Sequence, residues 1–147
     1  MGASRCARCG RPMPRVHGQP HETRHLVTGQ WIIAHNERPI TANRYRMLHY
    51  QARARYDKSW RAAFFALAKE ARVPALQVIE ITVQKVQAKG TLSDTMAEAP
   101  VVKAAIDGLV DAGVIPDDTG KHLAAVTFLP PVKGDRDWLT LTIEAVE

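Results

Sequence analysis

The 147 residues suit one domain around a single core. Hydrophobic residues make up 46% and charged residues 24%, the balance of an ordinary globular protein, and no apolar run approaches the ~20 residues that a helical membrane span needs. The net charge of +5 hides a division: residues 1–72 carry fourteen Lys/Arg and four Asp/Glu, whereas residues 73–147 carry six and eleven.

A basic half and an acidic half in one small domain suit a polyanion gripped by one part and worked on by the other. The plain alternative is an uneven scatter of surface charge. MGASRCARCGRP at the N-terminus lacks the apolar segment of a signal peptide. A cytoplasmic protein with no membrane partner is therefore expected, its two cysteines reduced or metal-bound.

Residues 1–29 are rich in Arg, Gly, Pro and His without apolar periodicity, and read as a basic arm. Within it, Cys6 and Cys9 form a Cys-x2-Cys knuckle followed by His17, His21 and His25 at four-residue intervals. That is zinc-ligand vocabulary, with Cys6, Cys9, His17 and His21 as the candidate Zn²⁺ set. The gap from Cys9 to His17 is short for a finger, and a disordered arm with incidental thiols is the other reading.

The domain proper is expected over 30–147. WIIAH (31–35) predicts a strand. A helix is predicted from Thr41 or Asn43 to about Arg72. Its core-facing stripe is Leu48, Ala52, Tyr56, Trp60, Phe64 and Ala68. Arg55, Lys58 and Arg61 make a basic ridge on its outer side, with Arg44 and Arg46 upstream. These five residues are the candidates for contacting backbone phosphates, which gives shape rather than sequence recognition. Tyr45, Tyr50, Tyr56 and Trp60 are expected to pack in the core rather than stack on bases.

VIEITVQKV (78–86) alternates and predicts a half-buried strand. KGTLSD (89–94) is a loop. A second helix starts near Pro100 and ends at Gly113. HLAAVTFLP (122–130) and WLTLTIEAV (138–146) are the last strands, expected to form an antiparallel hairpin. The order β-α-β-α-β-β gives an α+β (mixed α/β) class: a small mixed sheet packed with two helices.

Acidic residues gather around the second helix: Asp94 and Glu98 before it, Asp107 and Asp111 within it, Asp117 and Asp118 after it, with Lys103 among them. In phosphodiester hydrolysis, two or three carboxylates holding Mg²⁺ supply a Lewis acid and orient the attacking water, and a nearby lysine such as Lys103 can stabilise the transition state or position the water. Lys-x3-Asp pairs on a wet helix face and Pro-Asp-Asp turns are also common without any metal.

Asp94, the stretch Lys103-Ala-Ala-Ile-Asp107-Gly-Leu-Val-Asp-Ala-Gly113, and the pair Asp117-Asp118 resemble the RusA family of Holliday junction resolvases, especially forms carried by actinobacterial phages and prophages. NRYRMLHYQARARYDKSWR is similar to the family's basic segment. The resemblance is strong over 94–131, extends over 31–147, and leaves out 1–29.

It implies a RusA-like fold and a Mg²⁺-dependent endonuclease, with Mn²⁺ able to substitute. Such an enzyme works as a homodimer on four-way junctions and other branched DNA, in recombination and repair within a bacterial host cell. By position, Asp94, Lys103 and Asp118 carry the catalytic roles, and Asp94, Glu98, Asp117 and Asp118 the metal. The loop reads Asp94-Thr95-Met96-Ala97-Glu98, without the family's second aspartate and its asparagine. Glu98 or Asp107 supplies the missing carboxylate, or the site has lost its metal. The alternatives are then a non-catalytic branched-DNA-binding relative or a zinc-stabilised phage interaction protein.

Overall fold

A computed structural model of the protein describes residues 27–147. Eight elements follow in order. They are β1 (Val27–His35), α1 (Ala42–Met47), α2 (Tyr50–Glu70), β2 (Ile79–Gln87), α3 (Ala99–Asp111), β3 (Leu123–Phe128), β4 (Val132–Lys133) and β5 (Trp138–Val146). The fold is α+β: one mixed sheet, ordered β1-β5-β2-β3 with the short β4 also on β2, packed with helices.

Alternation along β2 and β5 creates the core. Every second residue of each strand is buried, and register stacks them into rows such as Ile33–Leu141–Val83 and Trp31–Ile143–Ile81. These rows form one cluster with Trp60 and Phe64 from α2 and Val101, Ala105 and Leu109 from α3. Burying a side chain such as Phe64 contributes about 1.5–3 kcal/mol. The other sheet face is half-buried or exposed and rich in threonine, with Ile32 beside Thr142, then Thr82 and Thr127.

The expected final hairpin does not form. β3 pairs in parallel with β2, and β5 pairs antiparallel with both β1 and β2. A parallel neighbour requires a crossover, and α3 supplies it. From β3 the chain stays on the same side of β2 to make β4, then passes to the other side, where β5 lies at the centre of the sheet. There its apolar inward residues are wholly covered.

Two further boundaries differ from expectation. Val27, Thr28 and Gly29, assigned to the arm, lie in β1. The single long helix is two, broken at an extended Leu48 (φ −70°, ψ 139°). Neither Pro nor Gly causes the break. Instead the His49 imidazole accepts a bond from Gln51 N at 3.3 Å and caps α2, while Arg53 Nη2 donates to the carbonyls of Arg46 and Leu48 at 3.3 Å each. The break takes Arg46 off the line of α2, whereas Arg53 stays on α2, partly buried, with its guanidinium 5.2 Å from the centre of the Tyr45 ring.

α3 ends as its sequence suggests. Gly113 has φ +80°, Val114 N reaches Leu109 O at 3.0 Å and Gly113 N reaches Val110 O at 2.9 Å, a glycine-closed Schellman cap. Gly108 lets α3 lie hard against α2: a Cβ there would collide with the Arg61 carbonyl oxygen and stand 3.0 Å from Phe65 N. This close approach puts the polar side of α3 beside the basic side of α2.

Candidate polyanion-binding face and acidic cluster

One turn of α3 carries Lys103 and Asp107 on its outer side, and the loop after α3 brings Asp118 back to them. The Lys103 ammonium donates to Asp107 Oδ1 at 2.8 Å and also to Asp118 Oδ2. Three residues of one sequence motif, up to fifteen positions apart, thus meet at one cation. The Lys103 side chain is 60% exposed, so the cluster faces solvent. Hydrogen bonds to Asp107 and then Asp118 raise the Lys103 pKa, and the bond from Lys103 holds the Asp118 carboxyl below its ordinary range.

A hollow of about 650 Å³ opens beside this cluster between α2 and α3, lined in part by Tyr45, Asp57, Lys58, Arg61, Lys103 and Asp107. The Tyr45 hydroxyl donates to both Asp57 oxygens at 2.9 and 2.7 Å. Burial, then Asp57, pushes its pKa up to about 12. Arg61 grips Asp111 with two bonds, Nη2 to Oδ1 at 2.7 Å and Nε to Oδ2, which lowers the Asp111 pKa. Arg46 is tied to Asn43 at 2.7 Å. Among the described residues Arg44, Arg55 and Lys58 are exposed and have no acidic partner.

The other residues expected at a metal stand elsewhere. Asp117 accepts from Thr119 N at 3.0 Å and from the Thr119 hydroxyl, which lowers its pKa and makes it the anchor of its own turn. Asp94 is exposed at a second hollow of about 450 Å³, with Thr41, Asn43, Arg46 and Met96. Glu98 is fully buried. It sits at the N-cap of α3 without capping it, and its Oε2 lies 3.8 Å from the equally buried Lys85 Nζ.

Among the described residues, no group of three or more His, Cys, Asp or Glu is placed to hold one metal ion. The four-carboxylate set of Asp94, Glu98, Asp117 and Asp118 therefore does not assemble as one cluster. Glu98 departs from it because the turn before α3 directs its side chain to the buried end of β2. Cys6, Cys9, His17 and His21 lie outside the described residues.

The buried Lys85–Glu98 pair was missed by sequence reasoning. Its signal was present: Ile79, Ile81, Val83, Lys85 and Gln87 share one strand face, so a lysine and a glutamine had to enter the interior. There they hold the loop over 88–98. Lys85 donates to Ser93 Oγ, and Gln87 Nε2 donates to the carbonyls of Lys89 and Thr91 at 2.9 and 2.8 Å. Burial lowers the Lys85 pKa and raises that of Glu98, so for both groups desolvation exceeds their mutual attraction. Neither Glu98 oxygen has a hydrogen-bond partner.

The aromatic expectation holds in part. Trp60 is fully buried, Tyr56 is partly buried with its hydroxyl 2.8 Å from Ile40 N, and Tyr45 packs edge-on to Tyr56. Tyr50 is 68% exposed; its place at the start of α2, just after the break, turns it away from the core.

No protein-family model matches the chain, and no curated protein matches it.

Proposed function

We propose that this protein is a RusA-like, structure-selective endonuclease that cuts branched DNA, including four-way junctions, with Mg²⁺ and as a homodimer. The observation that carries this reading is the meeting of Lys103, Asp107 and Asp118 beside a hollow bordered by Lys58 and Arg61. The carboxylates are already gathered around one positive charge. Mg²⁺ binds proteins through as few as one or two carboxylates and keeps several waters, so Asp107 and Asp118 fit it as ligands.

When bound, the ion would supply a Lewis acid for a phosphate oxygen. The chain's own residues would do the rest. Lys58, Arg55 and Arg44 would bind the phosphate backbone, and Lys103, released from its carboxylates, would donate to a nonbridging oxygen where negative charge builds. A homodimer suits a substrate that needs two symmetric cuts. Incubating four-way junction DNA with the protein is expected to give nicks that EDTA stops and that Asp118→Asn abolishes. Cleavage at the wild-type rate by Asp118→Asn would sink the assignment of the site.

A second reading is favoured by the burial of Glu98 against Lys85 and by Asp94 standing at a separate hollow. Here the protein is a non-catalytic relative that binds branched DNA through its basic half. Salt-dependent junction binding with no cleavage in either Mg²⁺ or Mn²⁺ would select it.

A further inference from the structure

Between Arg38 and Tyr56 the chain carries five arginines and no acidic residue. At the middle of this stretch lies the α1–α2 break, and there two large side chains stand in solvent: Met47, 86% exposed, and Tyr50, 68% exposed. They are among the most exposed large hydrophobic side chains of the described residues. The His49 ring lies 4.5 Å from the Tyr50 ring, tilted by 40°, and the Tyr50 hydroxyl accepts from the Gln51 side chain at 3.4 Å. Both residues protrude because the break is held by polar bonds from His49 and Arg53 rather than by packing.

We propose that Met47 and Tyr50 form a wedge that stacks on an unpaired or unstacked nucleic-acid base, with the exposed Arg44 and Arg55 on either side of the break in sequence holding the flanking phosphates. The proposal rests on the DNA-binding reading above and adds where the branch point is sensed. Proteins that open a base step insert an apolar side chain beside arginines, and an aromatic ring stacks on any base because every base offers a π-face. Charge complementarity selects the occupant. A polyanion matches an acid-free stretch in which Arg44 and Arg55 are exposed on either side of the break while Arg53 is engaged in the clamp, and a base would extend the ring pair that Tyr50 already makes with His49. Arg44 is exposed and has no acidic partner among the described residues, so it is available to a phosphate.

The test uses the full chain and a four-way junction carrying 2-aminopurine at the branch point. Binding of the wild type is expected to change the probe's fluorescence. Tyr50→Ala with Met47→Ala should lose that change and bind about tenfold more weakly. The slope of log affinity against log salt should stay as in the wild type, because no phosphate contact is removed. Tyr50→Trp should restore the fluorescence change. Arg55→Ala with Lys58→Ala should do the opposite, flattening the salt slope by about two while keeping the fluorescence change.

Both wedge residues are exposed, so thermal melts of the variants should match the wild type, and a lost signal then reports contact rather than unfolding. An unchanged signal and affinity in the double alanine variant would overturn the wedge while leaving DNA binding intact. No binding to any DNA probe would overturn both. Binding only to anionic phosphatidylserine vesicles, lost in the same variant, would reassign the patch to a membrane surface and also overturn the proposal.

Discussion

Two lysine–carboxylate groupings border α3, and they differ in access to water and in hydrogen bonding. Lys85 and Glu98 are buried, 3.8 Å apart, and neither carboxylate oxygen is hydrogen-bonded. Lys103, Asp107 and Asp118 are exposed and bonded together. In the interior, desolvation dominates, so the pair costs stability and serves chiefly to fix the loop over 88–98 against β2. At the surface the charges stay hydrated, their pairing contributes little, and they can exchange partners at small cost. The same chemical groups therefore form a structural peg in one place and a hydrated, exposed cluster in the other.

The largest effect should come from breaking the peg. Glu98→Ala leaves a buried ammonium without its counter-charge and is expected to lose about 3–5 kcal/mol in urea unfolding. Replacing both, Lys85→Met with Glu98→Leu, should recover most of that loss or exceed the wild type by about 1–4 kcal/mol. A single variant costing as little as a surface pair would erase the contrast between the two groupings. Next comes the seat of α3. Gly108→Ala forces a methyl into the α2 backbone at Arg61 and should cost about 1–3 kcal/mol by the same measurement.

Stability against pH sharpens the contrast further, because the two groupings have opposite signs. Glu98 has a raised pKa, so the folded state keeps a proton that the unfolded chain has lost. Stability should fall as pH rises from the ordinary carboxylate range to the raised value. Lys85 has a lowered pKa, so stability should fall as pH drops from the ordinary lysine range towards that value.

Asp118 is the reverse of Glu98: its contribution is present above the ordinary aspartate range and disappears as pH falls through its lowered pKa. Lys103, with a raised pKa, contributes below the ordinary lysine range and loses that contribution as pH climbs through its own value. Denaturation curves of the Met/Leu variant should lack the first two slopes and keep the others. The smallest stability effect is expected for Lys103→Ala, below about 1 kcal/mol because the side chain is largely exposed. Junction cleavage, in contrast, should drop sharply.

Much of the fold could be read in advance wherever period and punctuation agreed. The alternation of β2 and β5, the stripe through Trp60, Phe64 and Ala68, and the glycine closing α3 all lie where pattern places them. Pattern failed at the helix break, because its cause is a side-chain cap from His49 and a carbonyl clamp from Arg53, neither of which disturbs apolar spacing. It failed again for the final strands, since a β-strand's sequence states which residues face inward but not which neighbour it will take. At the candidate site, the four-residue spacing of Lys103 and Asp107 was legible as a shared helix face. The return of Asp118 to the same ammonium depended on how the loop after α3 closes.

The sequence by itself determined the class of the fold, the faces of its strands and helices, and the split between a basic and an acidic half. These follow from local periodicity and composition, which no distant contact alters. Only the tertiary structure decided that Glu98 goes inside with Lys85, that Asp118 joins Lys103 while Asp94 does not, and that Tyr50 stands in solvent while Tyr45, Tyr56 and Trp60 are covered to differing degrees. Each of those outcomes depends on which groups lose water when separate segments pack, and that is settled between elements rather than within them.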